Sequence, residues 1–130
     1  MEAKHMKKPV IIAVDDQPFI CQTIETMLKL KYEIRTFTAG KDAIDYLSEN
    51  AADIVLLDYY MPVKTGYEVL LAIRESKFNS KTPVIFITAE TNARIKLEMV
   101  ERGANDYICK PIHALELNRC IEKHLSSNPV

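Results

Sequence analysis

Acidic, basic and hydroxyl side chains follow directly on four short apolar runs of this sequence. VIIAV precedes Asp15 and Asp16, DIVLL precedes Asp58, VIFI precedes Thr88, and YIC precedes Lys110. If the runs are parallel strands, their carboxyl ends lie along one edge of a sheet, where open α/β sheets build binding sites. Five side chains that are far apart in the chain are therefore predicted to form one cluster.

The three carboxylates of this cluster indicate a metal site. Carboxylates held close together repel one another and raise each other's pKa unless a cation compensates their charge. A site of oxygen ligands with room for water suits Mg²⁺, with Mn²⁺ as a substitute. We predict Asp16 and Asp58 as direct ligands, and Asp15 as a direct or water-mediated ligand.

The same cluster is suited to phosphoryl transfer. A carboxylate can attack a phosphoryl group and form an aspartyl-phosphate if positive charge and donors neutralise the phosphoryl oxygens. Asp58 is the best-placed nucleophile, Lys110 can supply a point charge, and Thr88 can supply a hydroxyl donor. Each of these residues alone is more often a cap or turn residue. Their joint occurrence at successive strand ends favours a functional site.

An alternation of strands and helices has to position these residues. Short apolar runs alternate five times with helical patterns, which is typical of βαβ units around a parallel sheet. The predicted strands are 9–14, 32–37, 53–58, 83–88 and 106–109. The first, third and fourth runs are nearly all apolar, as expected for central strands, so the second and fifth are predicted to be edges. We expect a single doubly wound, flavodoxin-like α/β domain with strand order 2-1-3-4-5.

The helices are predicted from apolar residues that recur on one face. The first helix is expected to begin near Pro18, a residue suited to a first helical turn. In the fifth helix Leu117, Ile121 and Leu125 recur every four residues. The fourth helix has the least regular pattern, formed by Ile95, Leu97, Val100 and Ala104.

Size and composition limit the classes of protein. The 130 residues suit one domain, and 17 basic against 18 acidic side chains give a net charge of -1 without a basic run. Direct nucleic-acid binding is therefore not expected. Apolar runs of four or five residues are too short to span a bilayer, so we expect no membrane association and a cytoplasmic location.

The cysteines and histidines show no recognisable metal-binding spacing. We interpret them as reduced structural thiols and as isolated surface or structural imidazoles. They are Cys21, Cys109, Cys120, His5, His113 and His124.

Four joined motifs resemble the receiver domain of two-component response regulators. They are AVDD at 13–16, LLDYYMPVKTGYEVL at 56–70, FITAE at 86–90 and GANDYICKP at 103–111, and the similarity covers about residues 8–125. The resemblance implies that Asp58 is the phosphoacceptor and that Asp15 and Asp16 are the acidic pair. It also implies that Thr88 is the switch hydroxyl and Lys110 the family's active-site lysine.

The resemblance implies further roles near the acceptor. The backbone carbonyl of Tyr60 is expected to be a metal ligand, and the side chains of Tyr60 and Glu90 are expected to tune the phosphate lifetime in opposite directions. Gly66 is expected to permit a backbone shape closed to other residues. The Lys110–Pro111 bond matches one that is usually cis in this family.

Phosphorylation is predicted to change the shape of one surface of this domain. The resemblance implies that Thr88 moves toward the phosphoryl group and that Tyr107 turns inward, which alters the face formed by helix 4, strand 5 and helix 5. The expected phosphodonor is a histidine kinase or a histidine phosphotransfer protein. The expected recipient is an unknown downstream protein or an output domain C-terminal to this chain, and a phosphorylation-linked homodimer is a further expectation.

The receiver domain is assigned to 8–126, between an N-terminal extension at 1–7, of natural or engineered origin, and a tail at 127–130. A free-standing receiver and one excised from a longer protein both fit the sequence.

Three other functions use the same residues or the same fold. A small aspartyl-phosphate phosphohydrolase is disfavoured because enzymes of the haloacid dehalogenase type carry a second Asp two residues after the nucleophile, where this chain has Tyr60. A phosphorylation-independent interaction module would not need the intact set of Asp58, Thr88 and Lys110. A flavin or nucleotide site is disfavoured because no glycine-rich loop follows the first strand.

Overall fold

Five strands alternate with five helices in the computed structural model, which describes residues 7–126. The strands are β1 (Val10–Val14), β2 (Glu33–Phe37), β3 (Ile54–Asp58), β4 (Val84–Thr88) and β5 (Asp106–Cys109). The helices are α1 (Pro18–Leu28), α2 (Gly40–Leu47), α3 (Gly66–Glu75), α4 (Ala93–Glu101) and α5 (Ala114–Ser126). Every predicted strand is confirmed to within one residue. The predicted tail and nearly all of the predicted N-terminal extension lie outside the described residues.

The strands form one parallel sheet in the order β2-β1-β3-β4-β5, as predicted. The strands β1, β3 and β4 are central, and both predicted edge strands are at the edges. The register places Asp58 opposite Ile87 and Thr88 opposite Cys109, so the carboxyl ends of the strands lie side by side. Each crossover connection carries a helix, and the helices cover both faces of the sheet.

Two hydrophobic cores lie on opposite faces of the sheet. Because successive strand residues point to opposite faces, Ile11 and Ala13 belong to one core, while Ile12 and Val14 belong to the other. Helices α1 and α5 cover the first face, where Ile24 and Ile121 are buried. Helices α2 and α3 cover the second face, together with Met99 of α4. The sheet is therefore packed against helices on both faces.

The fourth helix is present, but its irregular apolar pattern does not mark its buried face. Met99 is the fully buried residue of α4, whereas Leu97 is 58% and Val100 46% exposed. Ile95 lies one helical turn before Met99 and packs beside it, so these two residues define the inner face. Leu97 is two positions from Met99 and therefore points away from the sheet. Ala104 is buried, but it follows the helix.

Among residues 7–126, helices that are both long enough and apolar enough to cross a bilayer do not occur.

Candidate functional site

Three carboxylates meet at the carboxyl ends of β1 and β3. Oxygen atoms of Asp15, Asp16 and Asp58 all lie within 4.8 Å of one another. Asp15 and Asp58 are 1% and 4% exposed, and Asp16 is the more accessible member. The structure thus places together the three residues that the strand ends predicted.

Lys110 lies against this carboxylate cluster. Its Nζ is 3.0 Å from Asp15 Oδ2 and 3.5 Å from Asp58 Oδ1. The lysine follows β5, and its backbone N–H donates to the carbonyl of Thr88 at 2.7 Å. The Lys110–Pro111 bond is cis, as the resemblance implied. One cation therefore faces two buried carboxylates.

Burial and neighbouring charges shift the pKa values of Asp58 and Lys110. Burial and the nearby Asp15 carboxylate raise the pKa of Asp58 to about 6, although Lys110 and the Tyr60 N–H partly offset them. Burial works against the charged lysine, but the carboxylates of Asp15 and Asp58 outweigh it and raise the pKa of Lys110. Lys110 is thus cationic at neutral pH, whereas ionisation of Asp58 costs more free energy in the folded protein than in water.

The donor set fits a hard divalent cation. Asp15 Oδ1 accepts from the Gln17 N–H at 2.9 Å, which orients the carboxylate. Its buried Oδ2 accepts no hydrogen bond of regular geometry from the described residues, although Lys110 Nζ is close to it. An incompletely satisfied carboxylate oxygen beside two further carboxylates is suited to Mg²⁺, which prefers oxygen ligands and keeps several waters.

Tyr60 and Glu90 contact each other at the mouth of this cluster. The Tyr60 backbone N–H donates to Asp58 Oδ1 at 3.3 Å, while its exposed hydroxyl donates to the Glu90 carboxylate. The Glu90 backbone N–H donates to Thr88 Oγ1 at 2.9 Å, so these residues link β3 to β4. Hydrogen bonds from the Tyr60 hydroxyl and from the Asn92 N–H lower the pKa of Glu90.

Comparison with known proteins decides the family. The family model for the response regulator receiver domain, which describes the sequences of that family, matches residues 11–122 of this chain. This chain belongs to that family.

Relatives and solved structures agree with this assignment. The transcriptional regulatory protein DltR of Streptococcus agalactiae is 35% identical over 108 residues, covering 82% of this chain and 47% of the relative. A probable cyclic di-GMP phosphodiesterase of Vibrio cholerae is 32% identical over 127 residues, which cover 98% of this chain and 29% of that protein. The chain thus spans less than half the length of these curated relatives.

Two receiver structures superimpose on nearly the whole fold. The chemotaxis protein CheY4 of Vibrio cholerae has a TM-score of 0.86 at 29% identity, over 91% of this chain and 99% of that protein. The receiver domain of the histidine kinase PA1611 of Pseudomonas aeruginosa has a TM-score of 0.84 at 28% identity, over 92% and 98%. That neighbour holds a magnesium ion in its active-site cleft. The receiver described here is accordingly a phosphorylation-dependent signalling domain.

The two predicted switch residues of this receiver occupy adjacent strands. Thr88 ends β4 and is fully buried, with its hydroxyl accepting from the Glu90 N–H. Tyr107 lies on the edge strand β5, opposite Phe86, and packs only partly against the core on the α4 side. Lys96 of α4 places its Nζ 5.3 Å from the centre of the Tyr107 ring. The tyrosine is therefore at the boundary between the core and the α4 surface.

Gly66 is required in this receiver for space and not for an unusual backbone angle. A Cβ at this position would lie 2.7 Å from Phe86 Cε1 and 3.0 Å from the Tyr59 Cα. Among the described residues only Gly103 has a positive φ. The expectation of a backbone shape closed to other residues was therefore wrong. The glycine instead lets the start of α3 approach the strand that carries Asp58.

A second cluster of chemically active side chains was missed by sequence reasoning. Asp106 of β5 lies beside Cys120 and His124 of α5, and their ligand atoms all fall within 4.8 Å of one another. The interpretation of His124 as isolated was wrong, whereas Cys120 is a free thiol, as predicted. The spacing of four residues on one helix was a usable signal, but the acidic partner is on a strand and required the tertiary structure.

Proposed function

We propose that Asp58 accepts a phosphoryl group from the phosphohistidine of a histidine kinase or a phosphotransfer protein. One observation carries this proposal: a buried aspartate sits among two further carboxylates and a lysine at the carboxyl edge of the sheet. A carboxylate oxygen of Asp58 attacks phosphorus while the bond from phosphorus to the histidine nitrogen breaks. The electron pair stays on the imidazole, and an aspartyl-phosphate remains on the receiver.

The surrounding residues have separate roles in this proposal. Asp15, Asp16 and Asp58, with the Tyr60 backbone carbonyl, would hold Mg²⁺, for which Mn²⁺ could substitute, and the ion would supply positive charge to the phosphoryl oxygens. Lys110, already paired with two carboxylates, supplies a second positive charge close to Asp58. The receiver thereby promotes its own phosphorylation and its own dephosphorylation.

Thr88 and Tyr107 are proposed to carry the signal. The Thr88 hydroxyl turns from the Glu90 N–H to donate to a phosphoryl oxygen, and Tyr107 moves into the space released. The α4, β5 and α5 surface changes because Tyr107 lies at its boundary. Phosphorylation then shifts the population between two arrangements of this surface.

Tyr60 and Glu90 are proposed to set the phosphate lifetime together. In this proposal the bulky Tyr60 side chain screens the aspartyl-phosphate from water, while Glu90 is the carboxylate available to orient an attacking water. Their hydrogen bond holds the Glu90 carboxylate, whose other oxygen accepts from the Asn92 N–H at 2.8 Å. The opposing effects predicted for the two side chains are therefore coupled through one contact.

The partners of the whole protein follow from the family. We propose that residues 8–126 act as a receiver domain in the cytoplasm and control a downstream protein, an output domain or a phosphorylation-linked homodimer. The relatives of this chain include a transcriptional regulatory protein and a probable phosphodiesterase, which are longer than it.

Phosphorylation by acetyl phosphate tests the acceptor. With Mg²⁺ or Mn²⁺, we expect intact mass spectrometry to show one added phosphoryl group on the wild-type chain and on Asp45→Asn, a matched control at an exposed acid of α2. The Asp58→Asn variant should gain none. Equal labelling of wild type and Asp58→Asn would reject Asp58 as the acceptor.

Two further measurements separate the alternatives. A phosphohydrolase would turn over small phosphate esters many times, whereas the receiver should not hydrolyse these esters. A beryllofluoride mimic with Mg²⁺ should alter the NMR resonances of the Tyr107 ring in the wild type more than in Thr88→Ala. A response that needs neither Asp58 nor Mg²⁺ would favour the phosphorylation-independent module.

A further inference from the structure

A mixed cluster of carboxylate, thiol and imidazole joins β5 to α5. His124 Nε2 lies 2.9 Å from Asp106 Oδ2, and Cys120 Sγ lies 3.5 Å from the same oxygen. All three ligand atoms lie within 4.8 Å of one another. Asp106 begins β5, whereas Lys110 follows its other end, so the cluster is separate from the carboxylate site. The two sites differ in place and in chemistry.

The chemistry of these ligands suits zinc. Thiolate and imidazole are softer ligands than the carboxylates that Mg²⁺ prefers, and together with one carboxylate they match the ligand sets of Zn²⁺. With metal bonds of about 2.0 to 2.3 Å, neighbouring ligands of a tetrahedral site are separated by about 3.3 to 3.8 Å. The Asp106 to Cys120 distance already has this value. The Asp106 to His124 distance has to open by about 0.5 Å.

The side chains of the cluster are also oriented toward one another, as the ligands of one metal ion have to be. The Tyr107 backbone N–H donates to Asp106 Oδ1 at 2.9 Å, which leaves Oδ2 directed at the thiol and the imidazole. A hydrogen bond of this kind fixes a ligating carboxylate from behind. Cys120 and His124 are four residues apart on α5, so both face β5. The His124 side chain is only 10% exposed, whereas Asp106 retains 27% and keeps a route for the ion.

We propose that Asp106, Cys120 and His124 bind one Zn²⁺ ion, with water as the fourth ligand. The ion takes the place of the proton between His124 and Asp106 and of the proton on the Cys120 thiol. Lys123, whose Nζ is 3.8 Å from Asp106 Oδ2, competes weakly for the carboxylate because its side chain is largely exposed. Bound zinc cross-links β5 to α5 one residue from Tyr107, and therefore stiffens the surface that the switch remodels.

Cobalt binding tests the site, because Co²⁺ occupies zinc sites and reports on thiolate ligands. We titrate Co²⁺ into the reduced, chelator-treated full chain, with excess Mg²⁺ to occupy the carboxylate site. One equivalent should produce a thiolate-to-cobalt charge-transfer band, and one equivalent of Zn²⁺ should abolish it. Asp58→Asn should retain the band. An absent band, or one lost in Asp58→Asn, overturns the proposal.

Variants assign the ligands. Cys120→Ser should lose the band, and Asp106→Asn and His124→Gln should each weaken Zn²⁺ binding by about 10- to 100-fold or more in competition with a chromophoric chelator. The matched controls Cys109→Ser and His113→Gln remove a thiol and an imidazole outside the cluster and should bind like the wild type. Circular dichroism and labelling by acetyl phosphate show that each variant is folded. A folded Cys120→Ser that binds as the wild type does, or a control that loses binding, refutes the assignment.

Discussion

Replacement of Asp58 by asparagine should stabilise the fold at neutral pH in the absence of Mg²⁺. The carboxylate is buried beside Asp15, and its pKa rises from 3.8 to about 6. A carboxyl group whose pKa is higher in the folded than in the unfolded state destabilises the fold at every pH at which the unfolded chain is ionised. Asparagine keeps the shape, and its oxygen can still accept from the Tyr60 N–H. Lys110 keeps its partner Asp15 at 3.0 Å.

The magnitude follows from the two pKa values. A difference of about two pH units at 1.36 kcal/mol per unit amounts to about 3 kcal/mol at pH 7.5. The penalty declines as pH falls through about 6, amounts to about 1 kcal/mol at pH 4.5, and vanishes below the unfolded value. The stability advantage of Asp58→Asn should therefore shrink by about 2 kcal/mol between pH 7.5 and pH 4.5.

Urea unfolding with a chelator present measures this difference. At pH 7.5 the midpoint of Asp58→Asn should lie on the order of 1 M above that of the wild type. Asp16→Asn is the control: it removes one charge from the same cluster at a more accessible position and should stabilise less. The reasoning is refuted if Asp58→Asn is no more stable than the wild type at pH 7.5, or if the difference does not change with pH.

Three other perturbations have defined outcomes. Mg²⁺ at 100 times its dissociation constant should stabilise the wild type by about 2.7 kcal/mol in urea unfolding, because it binds the carboxylate cluster of the folded state. An equal gain in Asp58→Asn would contradict the assigned ligands. Gly66→Ala should lower the free energy of unfolding by about 1 to 3 kcal/mol, because the added methyl would overlap Phe86 and the Tyr59 backbone. A change in the unfolding midpoint no larger than experimental error would show that α3 can shift. Asn79→Ala should cost about 2 to 4 kcal/mol, since this fully buried amide donates to the Leu47 and Asn50 carbonyls. Asn118→Ala, at a partly exposed position of α5, should change stability by less than about 0.5 kcal/mol, and similar losses in both would argue against burial as the cause.

The cluster of carboxylates and lysine was predictable because one pattern, an apolar strand followed by a polar residue, recurs along the chain. Each strand is a short apolar run, and each run ends at the same edge of a parallel sheet, so a residue after one strand is near the residue after the next. Asp15, Asp58 and Lys110 meet for this reason, without any knowledge of side-chain packing. The roles of Tyr60, Glu90 and Tyr107 came instead from the family resemblance.

The errors share a different origin. The inner face of α4 was not identified because Leu97 and Val100 are as apolar as Met99, and only the orientation of the helix on the sheet selects Met99. The role of Gly66 was misread because its close neighbour Phe86 is on another strand. Both errors concern contacts between elements that the chain does not place side by side.

The sequence by itself determined the order of strands and helices, the strand order of the sheet, the family, and the set of residues at the functional edge. The order of the elements, the strand order and the shared edge follow from local apolar periodicity and from the geometry common to parallel sheets, whereas the family follows from the resemblance of the four joined motifs. Only the tertiary structure decided that the hydroxyl of Tyr60 bonds to Glu90, that burial raises the pKa of Asp58 to about 6, and that Asp106 meets Cys120 and His124. Such contacts depend on rotamers and on packing between distant elements, and both change over a few ångströms within one and the same fold.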